Sequence, residues 1–455
     1  MKSAATRPMR NTMPHAIRQG SPLRPGVRRK TRAEVSAARA EKHAWRCYLA
    51  VVVSIFLNML LAIANANGVG MSNGKVVIIQ IIVTLLAGSM ILVNPIRLKP
   101  AEQYTLGFMA LLLVIGIGFH GLDLKALYDF LIIPLYIMLG RSARHVQAEW
   151  MHWLLAAVVF VVGMEVLTPS IFTRIVNPGE YFLATRDWVA NGGVNDALRD
   201  GLYAGAYRGG GSVFSIVDHR VSGPFLEPLS LGYFSVLMAI YYAALFNGRL
   251  ALRLGAIGIC LLLALLSDSR AASGLIVLSS LVLLPRLKWP SAAIWLAPVG
   301  VLFAAWLVYF AAKGDNLGDT LQRLSLTFGG LREFSIWQVM IGNIDSGRLN
   351  DTGILYFIKD MGLSGLFVGI FLYCGAMTRD KKSNVAFFSM IAIYLTTMLL
   401  FGGAVFSIKV ASLSGYLVGI ASWADSISSK SVMGVAKKRT HRRPIPWSAR
   451  RRGQI

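Results

Sequence analysis

The stretch RLALRLGAIGICLLLALLSDSRAASGLIVLSSLVLLPRLK, Arg249 to Lys288, decides the fold. It holds two apolar runs, 250–266 and 269–285, each close to the roughly twenty residues an α-helix needs to cross a bilayer. Arg249 and Arg253 flank the first run and Arg286 and Lys288 follow the second, while a polar turn, Ser267-Asp268-Ser269-Arg270, joins them. Lys and Arg accumulate in short cytoplasmic loops. The basic ends therefore put the open side of this hairpin in the cytoplasm and its turn on the opposite face.

Outward from this hairpin the same window finds spans near 45–63, 75–93, 103–119, 122–140, 150–167 and 224–246 before it. After it come 291–312, 353–373, 385–402 and 406–424. The sum is an all-α polytopic membrane protein with about twelve transmembrane helices. Composition agrees: 55% of the 455 residues are hydrophobic, 15% are charged and mean hydropathy is +0.57, which a soluble domain does not show. The fourth span is the least apolar, because it carries Lys125 and Asp129.

Charge bias fixes the orientation. The turns assigned to the cytoplasm contain Arg97 and Lys99, Arg141 and Arg144, Arg249 and Arg253, Arg286 and Lys288, and Arg379, Lys381 and Lys382. The short opposite turns carry no base apart from Lys75 at one border. Residues 1–44 and 426–455 read as basic, disordered cytoplasmic tails around a transmembrane domain at 45–425. These tails hold much of the formal +24 charge, so topology accounts for it and no nucleic-acid partner is expected. Cys47, Cys260 and Cys374 form no metal or disulfide pattern and read as packing residues. Gly365 with Gly369 and Gly415 with Gly419 have the spacing of close helix packing.

Two segments on the external side, about 168–223 and 313–352, are too long for turns. The first mixes Arg174, Arg186, Arg199, Arg208 and Arg220 with Glu180, Asp187, Asp196, Asp200 and Asp218, a balance that suits folded or substrate-binding loops. Ionisable groups at the mouth of a bundle cost a few kcal/mol each, so they are functional candidates. They fall in three clusters. The first is HRVSGPFLEP, His219 to Pro228, where a guanidinium at Arg220 offers a fork of donors to phosphate oxygens. The second is the Ser267–Arg270 turn, whose Arg270 stands on the face where arginine is disfavoured unless paired or used. The third closes the second large loop, with Asp345, Arg348 and Asp351 before a helix holding Lys359 and Asp360.

In this order and between these spans, the clusters resemble the O-antigen polymerase and ligase family of bacterial polysaccharide assembly. The resemblance lies in Arg220, Gly223, Phe225 and Pro228 at a helix start, Ser269, Arg270 and Gly274 later, and Asp351 and Gly353 before Asp360, Gly362, Leu363, Gly365 and Leu366. It covers roughly 205–375. It implies a GT-C-like bundle with two large periplasmic loops in the bacterial inner membrane, acting without cofactor or metal on oligosaccharides linked to undecaprenyl diphosphate. Arg220, Arg270 and Arg348 would hold the diphosphate, and Asp351, Glu227, His219 or Asp345 would serve as base. Ligases of the family use a histidine near the end of the second loop; this chain has none between Lys313 and Gly353, which favours a polymerase. A ligase, or a flippase of lipid-linked oligosaccharide, is the alternative, and a chain-length regulator and a flippase are the expected partners.

Overall fold

The computed structural model describes residues 32–96, 98, 100–121, 124–144, 147–186, 198–199, 201–203, 206–207, 216–285, 289–311, 319–344, 353–377 and 385–422. In chain order the helices are α1 (Arg32–Ala64), α2 (Asn73–Val93), α3 (Pro100–His120), α4 (Leu124–Ala143) and α5 (Ala148–Leu167). Two short helices follow, α6 (Pro169–Val176) and α7 (Pro178–Thr185), then a two-residue antiparallel hairpin of β1 (Leu198–Arg199) and β2 (Leu202–Tyr203). Next come α8 (Pro228–Ile240), α9 (Leu250–Leu266), α10 (Arg270–Leu283), α11 (Ala293–Ala311), α12 (Asp319–Arg332) and α13 (Ile336–Ile341). The last three are α14 (Gly353–Met377), α15 (Val385–Phe401) and α16 (Ile408–Ser422).

Among the described residues, six helices are long and apolar enough to cross a membrane: α1, α2, α3, α5, α8 with its continuation to Leu245, and α11. Four shorter apolar helices, α9, α10, α15 and α16, accompany them. The chain is a helical membrane protein. Its outer helices turn bare aliphatic side chains outward, such as Leu85 (66% exposed), Val114 (64%) and Leu296 (66%), a surface that suits hydrocarbon. The interior is built from α8, α15 and α16, which are buried along almost their whole length.

Without a hydrophobic drive between helices in lipid, close backbone packing takes over. The Gly415/Gly419 pair does this against α4: a Cβ at 415 would fall 2.8 Å from the Ile133 carbonyl oxygen, and one at 419 would strike Ile137. Gly140 on α4 is the complementary gap, filled by the Tyr416 backbone. Gly365 and Gly369 face Leu112 and Met109 of α3. At the end of α16, Arg141 Nη2 donates to Glu102 Oε1 at 2.7 Å and Arg141 Nε to Ser422 Oγ at 3.1 Å. Cys47 and Cys260 are buried, as packing residues should be.

Three expectations need correction. The first helix begins at Arg32, inside the segment read as a tail to residue 44, because RAEVSAARAEKHAW is rich in strong helix formers. The span read over 353–373 is broken at Gly362, whose φ of 69° interrupts the helix. The span read over 224–246 starts as helix only at Pro228, after a 3₁₀ turn at Gly223–Phe225. Arg97, Lys99, Arg286, Lys288, Arg379, Lys381 and Lys382 and most of both tails lie outside the described residues.

Candidate functional site

The segment His219 to Pro228 enters the bundle with a single 3₁₀ turn as its only helical element, and its sequence dictates why. Pro224 and Pro228 lack an N–H and resist helix continuation, and Gly223 takes φ of 54° where a Cβ would meet Val162 Cγ2 at 2.7 Å. Leu226 takes φ of 60°, a left-handed conformation that costs a non-glycine residue on the order of 1–3 kcal/mol and persists only when its surroundings enforce it.

Two charged side chains from flanking helices enforce it. Glu165 of α5 is fully buried and accepts from the Ser222 backbone N–H at 3.1 Å, the Ser222 hydroxyl at 3.2 Å and the Gly223 N–H at 2.5 Å. Lys409 of α16, 1% exposed, donates from Nζ to the Phe225 carbonyl at 2.8 Å and to Glu227 Oε2 at 2.7 Å. Glu227 also pairs with Arg186, just beyond α7, and accepts from the Ser230 hydroxyl at 3.0 Å. An anion on α5 thus holds one end of the turn through its N–H groups. A cation on α16 holds the other end through a carbonyl.

The turn presents Arg220. Its backbone N–H donates to the Ala206 carbonyl at 2.8 Å, Val221 N–H donates to the Leu266 carbonyl at 3.0 Å, and its Nε donates to the Ser267 carbonyl at 3.1 Å. The side chain is buried beside the Ser267–Ser269 turn, all three residues of which are buried, with Asp268 at φ of 50°. Ser269 sits against Gly232 of α8, where a Cβ would come within 2.8 Å of Ser269 Cβ. Arg270 is the exposed first residue of α10, at the positive end of its dipole. Arg220, 50 positions before Arg270 in sequence, is therefore bonded to the turn from which Arg270 starts α10.

His219 lies 3.6 Å from Glu165, between Nε2 and Oε1, with its ring near Tyr207. Glu227 is half-buried: burial pushes its carboxyl up, but Lys409 and Arg186 outweigh this and hold it well below the usual carboxylate range. Such a group stays ionised and binds protons poorly, so it suits holding the turn better than accepting a proton. Arg323 of α12 reaches the same region, donating from Nη1 to the Phe401 carbonyl beside Gly402, Tyr233 and Leu229. Asp345, Arg348 and Asp351 lie outside the described residues.

Arg186, Arg220, Arg323 and Lys409, with exposed Arg270, stand here against Glu165, Glu227 and Asp268, with exposed Asp218, a small surplus of cations. A surplus of cations on a fixed, partly water-excluded scaffold can receive a strongly charged anion such as a phosphate or diphosphate. Lys409 and Glu165 were the residues sequence reasoning passed over. Each is a charge inside an apolar window, which is itself the signal that could have found them. No family model, curated protein or solved structure matches the chain.

Proposed function

We propose that the protein joins oligosaccharide repeats carried on undecaprenyl diphosphate into a surface polysaccharide, at the periplasmic face of a bacterial inner membrane. The observation that carries the reading is the pairing of Arg220 with the Ser267–Arg270 turn, on a strained segment clamped by two buried charges. In this reading the bundle is GT-C-like, with twelve spans and both ends in the cytoplasm. Ten of the twelve spans read from the sequence overlap an apolar helix, and the other two fall on α4 and on α14, the helix broken at Gly362.

The chemistry is a displacement at the anomeric carbon. A hydroxyl of the acceptor repeat forms the new glycosidic bond as the bond from that carbon to the diphosphate oxygen breaks. The proton of the hydroxyl passes to a base, and undecaprenyl diphosphate leaves with the bonding pair. Negative charge grows on the leaving oxygens, and preorganised donors aimed at developing charge supply much of the acceleration. Arg220 and Arg270, with Arg348, fill that role. Of the bases, Asp351, His219 and Asp345 are better candidates than Glu227, which is occupied by Lys409 and Arg186.

The test is Arg220→Ala and Arg270→Ala in the native host, with surface polysaccharide resolved on gels and the protein quantified in the membrane. Loss of long chains with single repeats retained supports the proposal. Unchanged chains in a stably expressed variant sink it, and repeats stranded on the cytoplasmic leaflet of a deletion strain would point to a flippase.

A further inference from the structure

The segment Phe334 to Ile344, FSIWQVMIGNI, carries no charge, although it belongs to a stretch read as an external hydrophilic loop. At its centre is α13, whose Ile336 and Trp337 are 77% and 75% exposed, more than the other exposed large hydrophobics of α12 and α13, Leu326, Met340 and Ile341. An exposed Ile-Trp pair on a polar loop is anomalous. Where this helix packs explains it.

The C-terminal end of α13 is seated on the break in α14. A Cβ on Gly342 would lie 2.8 Å from the Gly362 N and 2.9 Å from the Ile358 and Lys359 carbonyl oxygens, and the Ser364 hydroxyl donates to the Met340 carbonyl at 2.9 Å. Three residues further on, Gly365 meets Leu112 of α3, and Gly369 meets Met109, so the two helices run antiparallel. Leu112 lies seven residues inside the end of the α3 apolar span at Phe119. At 1.5 Å per residue that is about 10 Å, which puts Gly362 and the end of α13 roughly 5–6 Å below the end of the span.

The backbone is finished accordingly. Ser335 and Gln338 form a reciprocal cap, with Ser335 Oγ accepting from Gln338 N–H at 3.3 Å and Gln338 Oε1 accepting from Ser335 N–H at 2.9 Å. At the other end Gly342 and Asn343 N–H groups both donate to the Gln338 carbonyl, at 2.9 and 3.0 Å, and Ile344 N–H donates to Gly342. For so short a helix this is thorough internal pairing, which a layer poor in water demands. The apolar side chains continue the lipid-facing surface of α3 and α14, where Leu111, Val114 and Phe367 are exposed.

We infer that α13 is a membrane foot: it lies in the headgroup and upper acyl layer of the leaflet at the Gly353–Gly402 end of the bundle, with Ile336 and Trp337 against phospholipid. Trp favours this depth because its ring is apolar and its N–H can reach the headgroups. The foot pins the second long segment to the membrane surface, and it does so whether or not the proposed sugar chemistry holds.

The test uses the full chain in phospholipid nanodiscs with a bimane probe on Trp337→Cys. Cys47 and Cys260 stay in place because both are buried, and Cys374 is replaced by alanine. Phosphatidylcholine spin-labelled near the acyl carbonyl should quench the probe as strongly as one on Ile115→Cys, an exposed α3 position at the same depth, while aqueous iodide should not. Quenching by iodide to the level of a probe on exposed Glu180→Cys would overturn the inference, and so would protection from both quenchers, which would mean protein covers the site. Ile336→Cys repeats the test should Trp337→Cys fold poorly.

Discussion

The two ends of α16 hold two very different buried charge sites. Near its end, Ser422 meets Arg141, which forms an ion pair with Glu102 between two regular helices, with side chains 8% and 4% exposed. Near its start, Lys409 shares Glu227 with Arg186 on a segment containing left-handed Gly223 and Leu226. Thirteen residues, about 20 Å along the helix, separate them. Buried ion pairs contribute little net stability, because desolvation offsets the attraction, but breaking one is expensive. The Arg141–Glu102 pair is a balanced pairing in relaxed backbone and fits a structural role. The Glu227 site, with its surplus of cations and strained backbone, has the character of a place prepared for a charged ligand.

The largest effect that would test this contrast is on stability. Glu227→Gln and Glu102→Gln should each cost about 3–5 kcal/mol, since each strands a buried cation, measured by thermal unfolding in detergent against the wild type. At the Glu227 site, adding Lys409→Met to Glu227→Gln should recover part of the loss. If the double variant were less stable than Glu227→Gln, Lys409 would be holding the turn mainly through the Phe225 carbonyl.

Activity should separate the two sites next. Arg220→Ala should lower polymer formation per folded molecule about 10²–10³-fold, as expected for a lost donor to developing charge, a loss beyond what the broken hydrogen bond to the Ser267 carbonyl takes from stability. Arg141→Ala should do the reverse, lowering stability while the surviving folded protein keeps its activity. Equal activity losses per folded molecule would erase the distinction. A smaller effect belongs to the backbone: Gly223→Ala must place a Cβ at positive φ against Val162, and should cost on the order of 1–3 kcal/mol with reduced activity.

The smallest effect is on pH dependence. Glu227 has a depressed pKa in the folded protein, so its contribution is present above the unfolded value of about 4.3 and is lost as pH falls through the folded one. Between pH 7 and 5 this clamp should therefore be insensitive to pH, and the acid-induced loss should appear below about pH 4. Glu227→Gln should remove that component. An acid transition of unchanged amplitude in the variant would assign it to other carboxylates.

The apolar helices were legible because lipid leaves a chain few alternatives: a run such as Ala148–Leu167 or Ala293–Ala311 has to be a helix. Arg220 and Arg270 were legible as charges at apolar borders, but that Arg220 would bond the Ser267 carbonyl, three residues before Arg270, followed from which helices end together. Averaging over a window concealed what lay inside it. Glu165 and Lys409 disappear among apolar neighbours, yet they fix the turn that carries Arg220. The left-handed Leu226 has no local signal, since only tertiary hydrogen bonds enforce it. Gly362 lies inside a continuous apolar window, 353–373, that gives no sign of the break on which α13 is seated.

The most direct test of the central claim uses purified protein in nanodiscs with lipid-linked repeats extracted from the host. The account predicts that wild-type protein releases undecaprenyl diphosphate while joining repeats into chains, and that Arg220→Ala binds membrane and folds normally but releases almost none. Wild-type protein that forms no chains, or an Arg220→Ala variant that forms them at the wild-type rate, would contradict it.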